Sequence, residues 1–271
     1  MNEYIKQCEQ IIKEKIIKIN DISIGFDQTV YLINTKENKY IFKECKKSPI
    51  KIENEEFALK ILSNLNIPIP KLIFKNSDFL IESYIERNLL SKDHKDNYFI
   101  ELGYYISLIH SIQLEGFGEI KNCKGEYNSE YDYLFSWLNL NKNSKYDILN
   151  KYNFEEIFNK NIHLFNNKNS FFLHGDISYS NIIVNNNKIN GIIDFGDSIS
   201  GSIEYDLALF YIKITNDFNW YSFLKGYNKE YNIKKFNIYI IAFGIWLIQD
   251  ELINETDIQY KKFINSLLHF L

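Results

Sequence analysis

The sequence predicts an α+β protein of two lobes, one built on an antiparallel sheet with one key helix and the other mostly helical. The first observation is a set of five short runs, rich in branched and aromatic residues, that precede residue 86 and are broken by turn signals. The second is the helical spacing of apolar residues in most later segments. At 271 residues the chain is long enough to bury a sizeable core. We place the two lobes at residues 1–86 and 87–271.

The first lobe is predicted to begin with an amphipathic helix over residues 2–15, whose apolar face packs on the core. A second helix is predicted over 48–66, because Pro49 suits a helix start and the segment IPIP stops it. Strands are predicted in the five segments KINDISI, TVYLINT, KYIFKEC, KLIFK and FLIESYI.

The second lobe is predicted to be helical with a single hairpin. The hairpin consists of the segments NIIV and INGIID, which are separated by the turn NNNK. Helical spacing of apolar residues is found in the segments NYFIELGYYISLIHSI, SEYDYLFSWL, FEEIFNKNIHLF and IEYDLALFYIKI, and in the long tail over 234–271.

Composition excludes several classes of protein. A net charge of -4 and a pI near 5.8 argue against a basic nucleic-acid binder. The three cysteines include no CxxC pair, so neither a zinc site nor a disulfide framework is predicted, which suits a reducing cytoplasm. Neither a signal peptide nor a membrane-spanning run is recognised. We therefore expect a cytoplasmic monomer that contacts neither membrane nor nucleic acid.

Polar residues punctuate the apolar segment FFLHGDISYSNIIVNNNKINGIIDFGD. Asp176 follows an apolar run, Asn181 comes five residues later, and Asp194 lies thirteen residues beyond Asn181. The predicted hairpin brings its entry at Asn181 close to its exit at Asp194, and both side chains are hard oxygen ligands of the kind that Mg²⁺ prefers. Phosphoryl transfer needs such ligands, a carboxylate near the attacking hydroxyl and a cation on the phosphates.

These motifs carry a resemblance to a known family. HGD-x-x-x-x-N followed by IDFGD is similar to the aminoglycoside phosphotransferase family, and the spacing also matches the HRD, N and DFG set of protein kinases. GFDQTVYLIN and GIIDFGD look most like segments of the 2''-phosphotransferases. The resemblance implies a protein-kinase-like fold, ATP or GTP as phosphoryl donor, and Mg²⁺ as cofactor.

The resemblance implies roles for the residues of the HGD and IDFGD motifs. Asp176 resembles the catalytic base that accepts the proton of the acceptor hydroxyl, and His174 resembles the histidine that braces the catalytic loop. Asn181 and Asp194 look like the two magnesium ligands. Asp206, in the segment DLA, resembles the acid that braces the same loop, although it also reads as a simple N-terminal helix charge.

The first lobe matches the nucleotide-binding part of the family. Lys43 resembles the lysine that contacts the α- and β-phosphates, with Lys46 as its competitor. Glu55 stands fifteen residues before Pro70 and resembles the glutamate that holds this lysine, whereas the run of acids around it is also typical of a solvated helix face. The other nucleotide-binding residues implied are the hinge residues Ser83, Tyr84 and Ile85 and, in the phosphate loop SIGFDQT, Gly25.

The sequence departs from the family in three places. The phosphate loop contains a single glycine, Glu86 and Arg87 stand where the family commonly has a glycine, and ISYS separates Asp176 from Asn181. The last two departures leave the subfamily open.

The acceptor is predicted to be a small cationic molecule. Only eleven residues separate Asp194 from Asp206, which is too short for the activation segment of a protein kinase. Acids that could meet its ammonium groups are Asp197, Asp250 and Glu251, with Glu230, Glu255 and Asp257 as further candidates. The cluster QDELINETD is equally typical of a solvated helix end.

The sequence therefore favours an enzyme that phosphorylates a hydroxyl of an aminoglycoside and confers resistance. One alternative keeps the chemistry with another acceptor, such as choline, homoserine or a macrolide. A second alternative is a nucleotide-binding regulator without transfer activity.

Overall fold

The computed structural model describes residues 4–23, 29–44, 49–86, 88–140, 146–166 and 168–271. These residues form two compact units. The first unit comprises Met1–Leu90 and Ser180–Asp197, and the second comprises Ser91–Tyr179 and Ser198–Leu271. Residues 88–90 and 180–197, which were predicted to belong to the second lobe, belong to the first unit. The assignment of nucleotide binding to the first lobe stays a prediction.

The helices and strands follow one another along both units. The helices of the described residues are α1 (Ile5–Ile12), α2 (Pro49–Leu62), α3 (Asp96–Ile109), α4 (Glu130–Trp137), α5 (Asp147–Lys151), α6 (Phe154–Lys160), α7 (Ile203–Lys213), α8 (Asp217–Tyr227), α9 (Ile233–Gln249) and α10 (Ile258–Leu268). The strands are β1 (Ile16–Asp21), β2 (Thr29–Thr35), β3 (Lys39–Glu44), β4 (Leu72–Lys75), β5 (Phe79–Ser83), β6 (Gln113–Leu114), β7 (Phe117–Lys121), β8 (Lys124–Tyr127), β9 (Ser170–Leu173), β10 (Ile182–Asn185), β11 (Lys188–Ile192) and β12 (Ile199–Gly201).

The first unit is built on an antiparallel sheet with strand order β1-β2-β3-β5-β4. All five predicted strands are present. The buried core of this sheet combines Phe42 and Phe79, whose rings stack at a centroid distance of 4.8 Å, with Cys8 and Ile12 of α1. The predicted apolar face of the first helix therefore packs on the sheet, although α1 ends at Ile12, three residues earlier than predicted, and is followed by Lys13, whose φ is 57°.

Helix α2 begins and ends close to where the prolines predict. Pro49 occupies its first turn, where a missing N–H costs no hydrogen bond. The helix ends at Leu62, ahead of the IPIP segment. Asn54 and Glu55 are buried on this helix, so the run of acids around Glu55 is not a uniformly solvated face.

The predicted hairpin is formed by β10 and β11, which pair antiparallel. Its turn contains Asn186 and Asn187, with φ values of 48° and 61°. Two successive residues with positive φ suit the right-handed twist of a tight hairpin, and asparagine tolerates this conformation better than most residues. The turn therefore holds the two strands in register and fixes the residues at the open end of the hairpin.

The second unit contains a sheet that was not predicted from the sequence. Its strands are antiparallel where paired and follow the order β6-β9-β12-β7-β8. The prediction that the hairpin supplies the only strands after residue 86 is therefore wrong. These strands have two to five residues, too few for an alternating pattern to stand out from neighbouring helical segments.

The helices of the second unit agree with prediction in four segments and differ in three. Helices α4, α6 and α7 lie within the predicted segments, and α3 begins one residue before its predicted segment. The predicted tail helix over 234–271 is instead two helices, α9 and α10, since Asp250–Asp257 is not helical. Helices α5 and α8 were not predicted. The mainly helical character of this unit nevertheless supports the expected α+β class.

Helices α3 and α8 cross at very short range. A Cβ atom on Gly226 would lie 1.8 Å from the carbonyl oxygen of Ile100, and one on Gly103 would lie 2.1 Å from that of Phe223. Only glycine permits this approach, because any side chain would overlap the facing backbone. The crossing brings His110, just after α3, against Tyr227 at the end of α8.

No helix among the residues described has both the length and the apolar character needed to span a bilayer.

Candidate active site

The open end of the hairpin presents Asn181 and Asp194. The amide of Ile193 donates a hydrogen bond of 3.0 Å to the carbonyl oxygen of Asn181, and Ile182 pairs with Ile192. Asn181 therefore precedes, and Asp194 follows, the paired part of the hairpin. Asp194 has a φ of 67°, a conformation that is uncommon for residues other than glycine and is found more often at functional sites. Its side chain is 45% exposed.

Lys43 lies among three carboxylates of the first unit. Its Nζ is 2.6 Å from Oε1 of Glu55 on α2, 3.3 Å from Oε1 of Glu82 on β5 and 3.8 Å from Oδ1 of Asp194. Lys43 projects from β3, where it pairs in register with Leu80. The structure thus brings together Lys43, Glu55 and Asp194, and their roles towards a nucleotide stay predictions.

Burial and charge act in opposite directions on this cluster. Burial disfavours the ammonium of Lys43, but the carboxylates of Glu55, Glu82 and Asp194 outweigh it and raise the pKa of Lys43. Burial also raises the pKa of Glu55 and of Glu82, against the attraction of Lys43. Three carboxyl groups thus face one ammonium, and the raised pKa values of Glu55 and Glu82 limit the negative charge that the cluster carries.

The donor atoms at the hairpin suit Mg²⁺. Asn181 and Asp194 offer an amide oxygen and a carboxylate, which are hard ligands, and Oε2 of Glu55 and of Glu82 are buried without a hydrogen-bond partner among the described residues. In that part of the chain, no three His, Cys, Asp or Glu side chains gather into a metal-binding group. A bound magnesium ion would therefore take its other ligands from nucleotide phosphates and water, as Mg²⁺ commonly does.

Part of the backbone of the hinge segment at the end of β5 is hydrogen-bonded to β3 and to the residue before β4. The amides of Ser83 and Tyr84 donate to the carbonyl oxygens of Lys71 and Lys39, at 2.9 and 3.3 Å. These two N–H groups are thus committed to protein carbonyls, so a purine edge would need other backbone groups of the segment. The side chain of Ile85 lies over Gly191, where a Cβ atom would come within 2.8 Å of it. Gly25 and the competing Lys46 lie outside the described residues.

The turn after Asp194 is held by α2. Asn54 donates a hydrogen bond of 3.2 Å from Nδ2 to the carbonyl oxygen of Gly196. Lys51 lies 2.9 Å from Oδ1 of Asp197. The carboxylate predicted to meet the acceptor at Asp197 is therefore already paired with a lysine of its own unit, and its contact with an acceptor stays a prediction.

In the second unit, Asp206 organises the loop that follows β9. Its two carboxylate oxygens accept hydrogen bonds from the amides of His174 (2.7 Å) and Gly175 (2.9 Å). Nε2 of His110 lies 3.1 Å from Oδ2 of Asp206, and Nδ1 of His110 lies 2.9 Å from the hydroxyl of Tyr227. Burial raises the pKa of Asp206, but the hydrogen bond and charge of His110 outweigh burial and lower it. The buried carboxylate therefore stays ionised and holds the loop by charge-assisted bonds.

His174 stabilises this loop through a hydrogen bond of its buried side chain. Its side chain is fully buried, and its Nδ1 accepts a hydrogen bond of 3.3 Å from the amide of Asp176. A ring without solvent access cannot exchange a proton with a substrate directly. The geometry therefore supports the bracing role rather than a direct catalytic one.

The carboxylate of Asp176 is 33% exposed and forms an ion pair with Lys213, whose side chain is 31% exposed. Asp176 is thus accessible to a solute, whereas His174 and Asp206 are not. This accessibility is what a general base requires.

The remaining predicted acceptor residues are at the end of α9. Asp250 and Glu251 are exposed and directly follow the helix, and Glu251 has a φ of 58°. Such exposure is also typical of a solvated helix end. Their contact with an acceptor stays a prediction.

Three residues of the site were not predicted. Glu82 is an isolated acid that follows the apolar run FLI in β5, a pattern that indicates a buried partner. Lys213 lies seven residues after Asp206, a spacing that repeats on one helix face. For His110, at the end of a helix, no sequence signal distinguishes it from a solvated histidine.

Comparison with known proteins gives one family match. The profile of the phosphotransferase enzyme family matches residues 18–236. No curated protein sequence matches the chain.

Several solved structures share the fold. The streptomycin–ATP ternary complex of APH(2'')-IIa is 22% identical, with a TM-score of 0.64 over 98% of this chain and 95% of that one. The choline kinase LicA from Streptococcus pneumoniae is 18% identical, with a TM-score of 0.69 over 98% and 97%. A thermostable APH(4)-Ia mutant with ADP and hygromycin B is 12% identical, with a TM-score of 0.69 over 97% and 94%. These likenesses confirm the predicted α+β, protein-kinase-like fold.

Proposed function

Because the chain belongs to the phosphotransferase enzyme family, we propose that it transfers the γ-phosphate of Mg-ATP or Mg-GTP to a hydroxyl of an aminoglycoside antibiotic and thereby confers resistance. The observation that carries this proposal is the 3.8 Å approach of Lys43 Nζ to Asp194 Oδ1. It sets a cation suited to nucleotide phosphates beside a carboxylate suited to Mg²⁺.

On the donor side, Lys43 binds the α- and β-phosphates. Glu55 and Glu82 hold its Nζ at 2.6 and 3.3 Å, so the ammonium does not have to be ordered when the nucleotide arrives. Asn181 and Asp194 hold Mg²⁺, which neutralises charge on the triphosphate when it is bound.

On the acceptor side, Asp176 is the general base. Its exposed carboxylate accepts the proton of the attacking hydroxyl, while Asp206 and His174 keep the loop backbone in place. Asp176 precedes Asn181 by five residues, so the loop with the base continues directly into the hairpin with the metal ligands.

The choice of an aminoglycoside as acceptor has support from the fold neighbours. APH(2'')-IIa and APH(4)-Ia form complexes with streptomycin and hygromycin B. We assign Asp250, Glu251 and Asp197 to contacts with the ammonium groups of the acceptor. A nucleotide-binding regulator without transfer activity is disfavoured because the residues needed for transfer are all present.

A second acceptor class is a small metabolite alcohol such as choline or homoserine. The ion pair between Asp197 and Lys51 favours it, since this carboxylate is already neutralised and attracts a polycation less strongly. The shared fold with the choline kinase LicA is compatible with this class.

The deciding experiment is a coupled phosphotransfer assay with ATP and with GTP over a panel of kanamycin A, gentamicin, streptomycin, hygromycin B, erythromycin, choline and homoserine. We expect transfer to at least one aminoglycoside, with a phosphate monoester in the product by mass spectrometry. The Asp176→Asn protein is the control. Transfer to choline or homoserine alone would replace the aminoglycoside with the second class, and nucleotide binding without any transfer would favour the regulator.

A further inference from the structure

Helix α7 contacts the catalytic loop at two places. Asp206, in its first turn, accepts the amide hydrogens of His174 and Gly175. Lys213, its last residue, forms the ion pair with Asp176. Seven residues are nearly two turns of an α-helix and advance about 10 Å on the same face. The same helix therefore holds the backbone of the loop through Asp206 and places Lys213 beside the carboxylate of Asp176.

A contribution to the free energy of unfolding does not by itself explain why Lys213 is paired with Asp176. Both side chains of the pair are about one third exposed, and ion pairs at such positions contribute little to the free energy of unfolding while immobilising a flexible side chain. The pair also lies at the one carboxylate of the loop that a solute can reach. The position of Lys213 therefore indicates that it affects which acceptors bind beside Asp176.

We propose that Lys213 is a specificity-determining residue, which excludes acceptors carrying an ammonium group next to the hydroxyl that is phosphorylated. This inference rests on the proposed function. The ammonium of Lys213 occupies the place on Asp176 that an acceptor ammonium would otherwise take. An acceptor hydroxyl near Asp176 then has to lie on a part of the molecule that is uncharged or negative, because a second ammonium would be repelled.

A neighbouring carboxylate of the second unit follows the same pattern. Asp217, the first residue of α8 and four residues after Lys213, lies 3.8 Å from Nζ of Lys262. Lys262 is buried, and its Nζ also donates to the carbonyl oxygens of Tyr211 and Ile214, at 2.7 Å each. Asp176 and Asp217 therefore each lie beside a lysine, Lys213 of α7 and Lys262 of α10, and do not form an acidic wall for a polycation.

The inference for the acceptor is specific. If an aminoglycoside is the acceptor, its reacting hydroxyl has hydroxyl or ring-oxygen neighbours, and its ammonium groups bind further from Asp176. Aminoglycosides whose candidate hydroxyl is adjacent to an amine are then poor acceptors at that hydroxyl.

The test is a cycle of two acceptors and four proteins. The acceptors are kanamycin A and its fully N-acetylated form, which differ in charge. The proteins are wild type, Lys213→Met, Lys213→Arg and Lys225→Met, the last removing an exposed lysine of α8 away from the pair. The measured quantity is the ratio of kcat/KM for the charged acceptor to that for the acetylated acceptor. Effects of acetyl bulk cancel when this ratio is compared between a variant and wild type.

We expect this ratio to rise by about 5- to 20-fold in Lys213→Met, the range for a partly solvated charge interaction, and to stay within about 2-fold of wild type in the other two variants. The proposal is overturned if the ratio in Lys213→Met equals that of wild type, or if Lys225→Met changes it as much.

A failure of the proposed function would be recognised separately. If neither kanamycin A nor any other aminoglycoside of the panel is phosphorylated, the aminoglycoside assignment fails. The same cycle is then run with choline and its uncharged isostere 3,3-dimethylbutan-1-ol. In this isostere a carbon atom replaces the ammonium nitrogen of choline. A ratio that rises in Lys213→Met supports the role of Lys213 for that acceptor, and an unchanged ratio overturns it.

Discussion

Nζ of Lys43 lies 2.6 Å from Oε1 of Glu55, and both side chains are buried, with 7% and 1% of their surface exposed. A buried ion pair of this length holds the lysine in one position, at a considerable cost in desolvation. Since Glu82 and Asp194 also lie within 4 Å of the same Nζ, the geometry is better explained by a required position of the ammonium than by stability.

Glu55→Gln should weaken use of the nucleotide. The amide keeps the volume of the side chain but not its charge, and a hydrogen bond to a charged group contributes about 1.5–3 kcal/mol, so kcat/KM for the nucleotide should fall about 10- to 100-fold. Steady-state kinetics with varied nucleotide measures this. Glu53→Gln, an exposed acid on the same helix, is the matched control. Equal kinetics for the two variants would show that Glu55 does not position Lys43.

Glu82→Gln should change how stability depends on pH. Burial raises the pKa of Glu82 above its ordinary value of 4.5, so above about that pH the folded protein holds a proton that the unfolded chain has lost. The free energy of unfolding then decreases as pH rises towards the folded pKa, by up to about 1.4 kcal/mol per pH unit for one proton.

Urea unfolding in EDTA between pH 5 and pH 8 checks this expectation. Wild type should lose more stability over this range than Glu82→Gln, which has no carboxyl group to titrate. Parallel curves for the two proteins would mean that Glu82 is already ionised in the folded state.

Asp206→Ala should destabilise the second unit and the catalytic loop together. Removing one partner of a buried charged network costs about 3–5 kcal/mol, because His110 and the amides of His174 and Gly175 lose their acceptor. Tyr227→Phe removes only one hydrogen bond to His110 and should cost about 1 kcal/mol. Chemical denaturation of both variants compares the two costs. A smaller loss for Asp206→Ala than for Tyr227→Phe would contradict the bracing role.

Asp176→Asn should lower turnover without affecting nucleotide binding. A general base contributes about 10²–10⁴-fold to the rate, and the asparagine cannot accept the proton of the hydroxyl. Turnover is measured with the best acceptor of the panel, and nucleotide affinity by calorimetry. Turnover close to that of wild type would show that Asp176 is not the base.

Asp194→Ala should abolish the dependence of nucleotide binding on Mg²⁺. The carboxylate supplies one of the two predicted ligands, and the other protein ligand is a neutral amide, which binds the ion weakly by itself. Calorimetry with MgCl2 should show a loss of affinity, whereas titrations in EDTA should match those of wild type. An unaltered response to MgCl2 would exclude Asp194 as a ligand.

Much of the fold was predictable because its signals are local. The strands of the first sheet, helix α2 with its prolines, and the hairpin with its run of asparagines each depend on residues adjacent in the chain. The second sheet was missed because its strands are short and pair across long stretches of sequence, as β12 does with β7 and β9. Pairing at such distances is decided by the packing of the whole unit.

By itself, the sequence determined the spacing of Asp176, Asn181 and Asp194, from which their roles in phosphoryl transfer are predicted. Only the tertiary structure decided their partners. Glu82 reaches Lys43 through strand pairing, and Lys213 reaches Asp176 across 37 residues through the position of α7. A partner is chosen by which buried or exposed surfaces meet once the chain has folded, and that depends on packing between elements that no local pattern records.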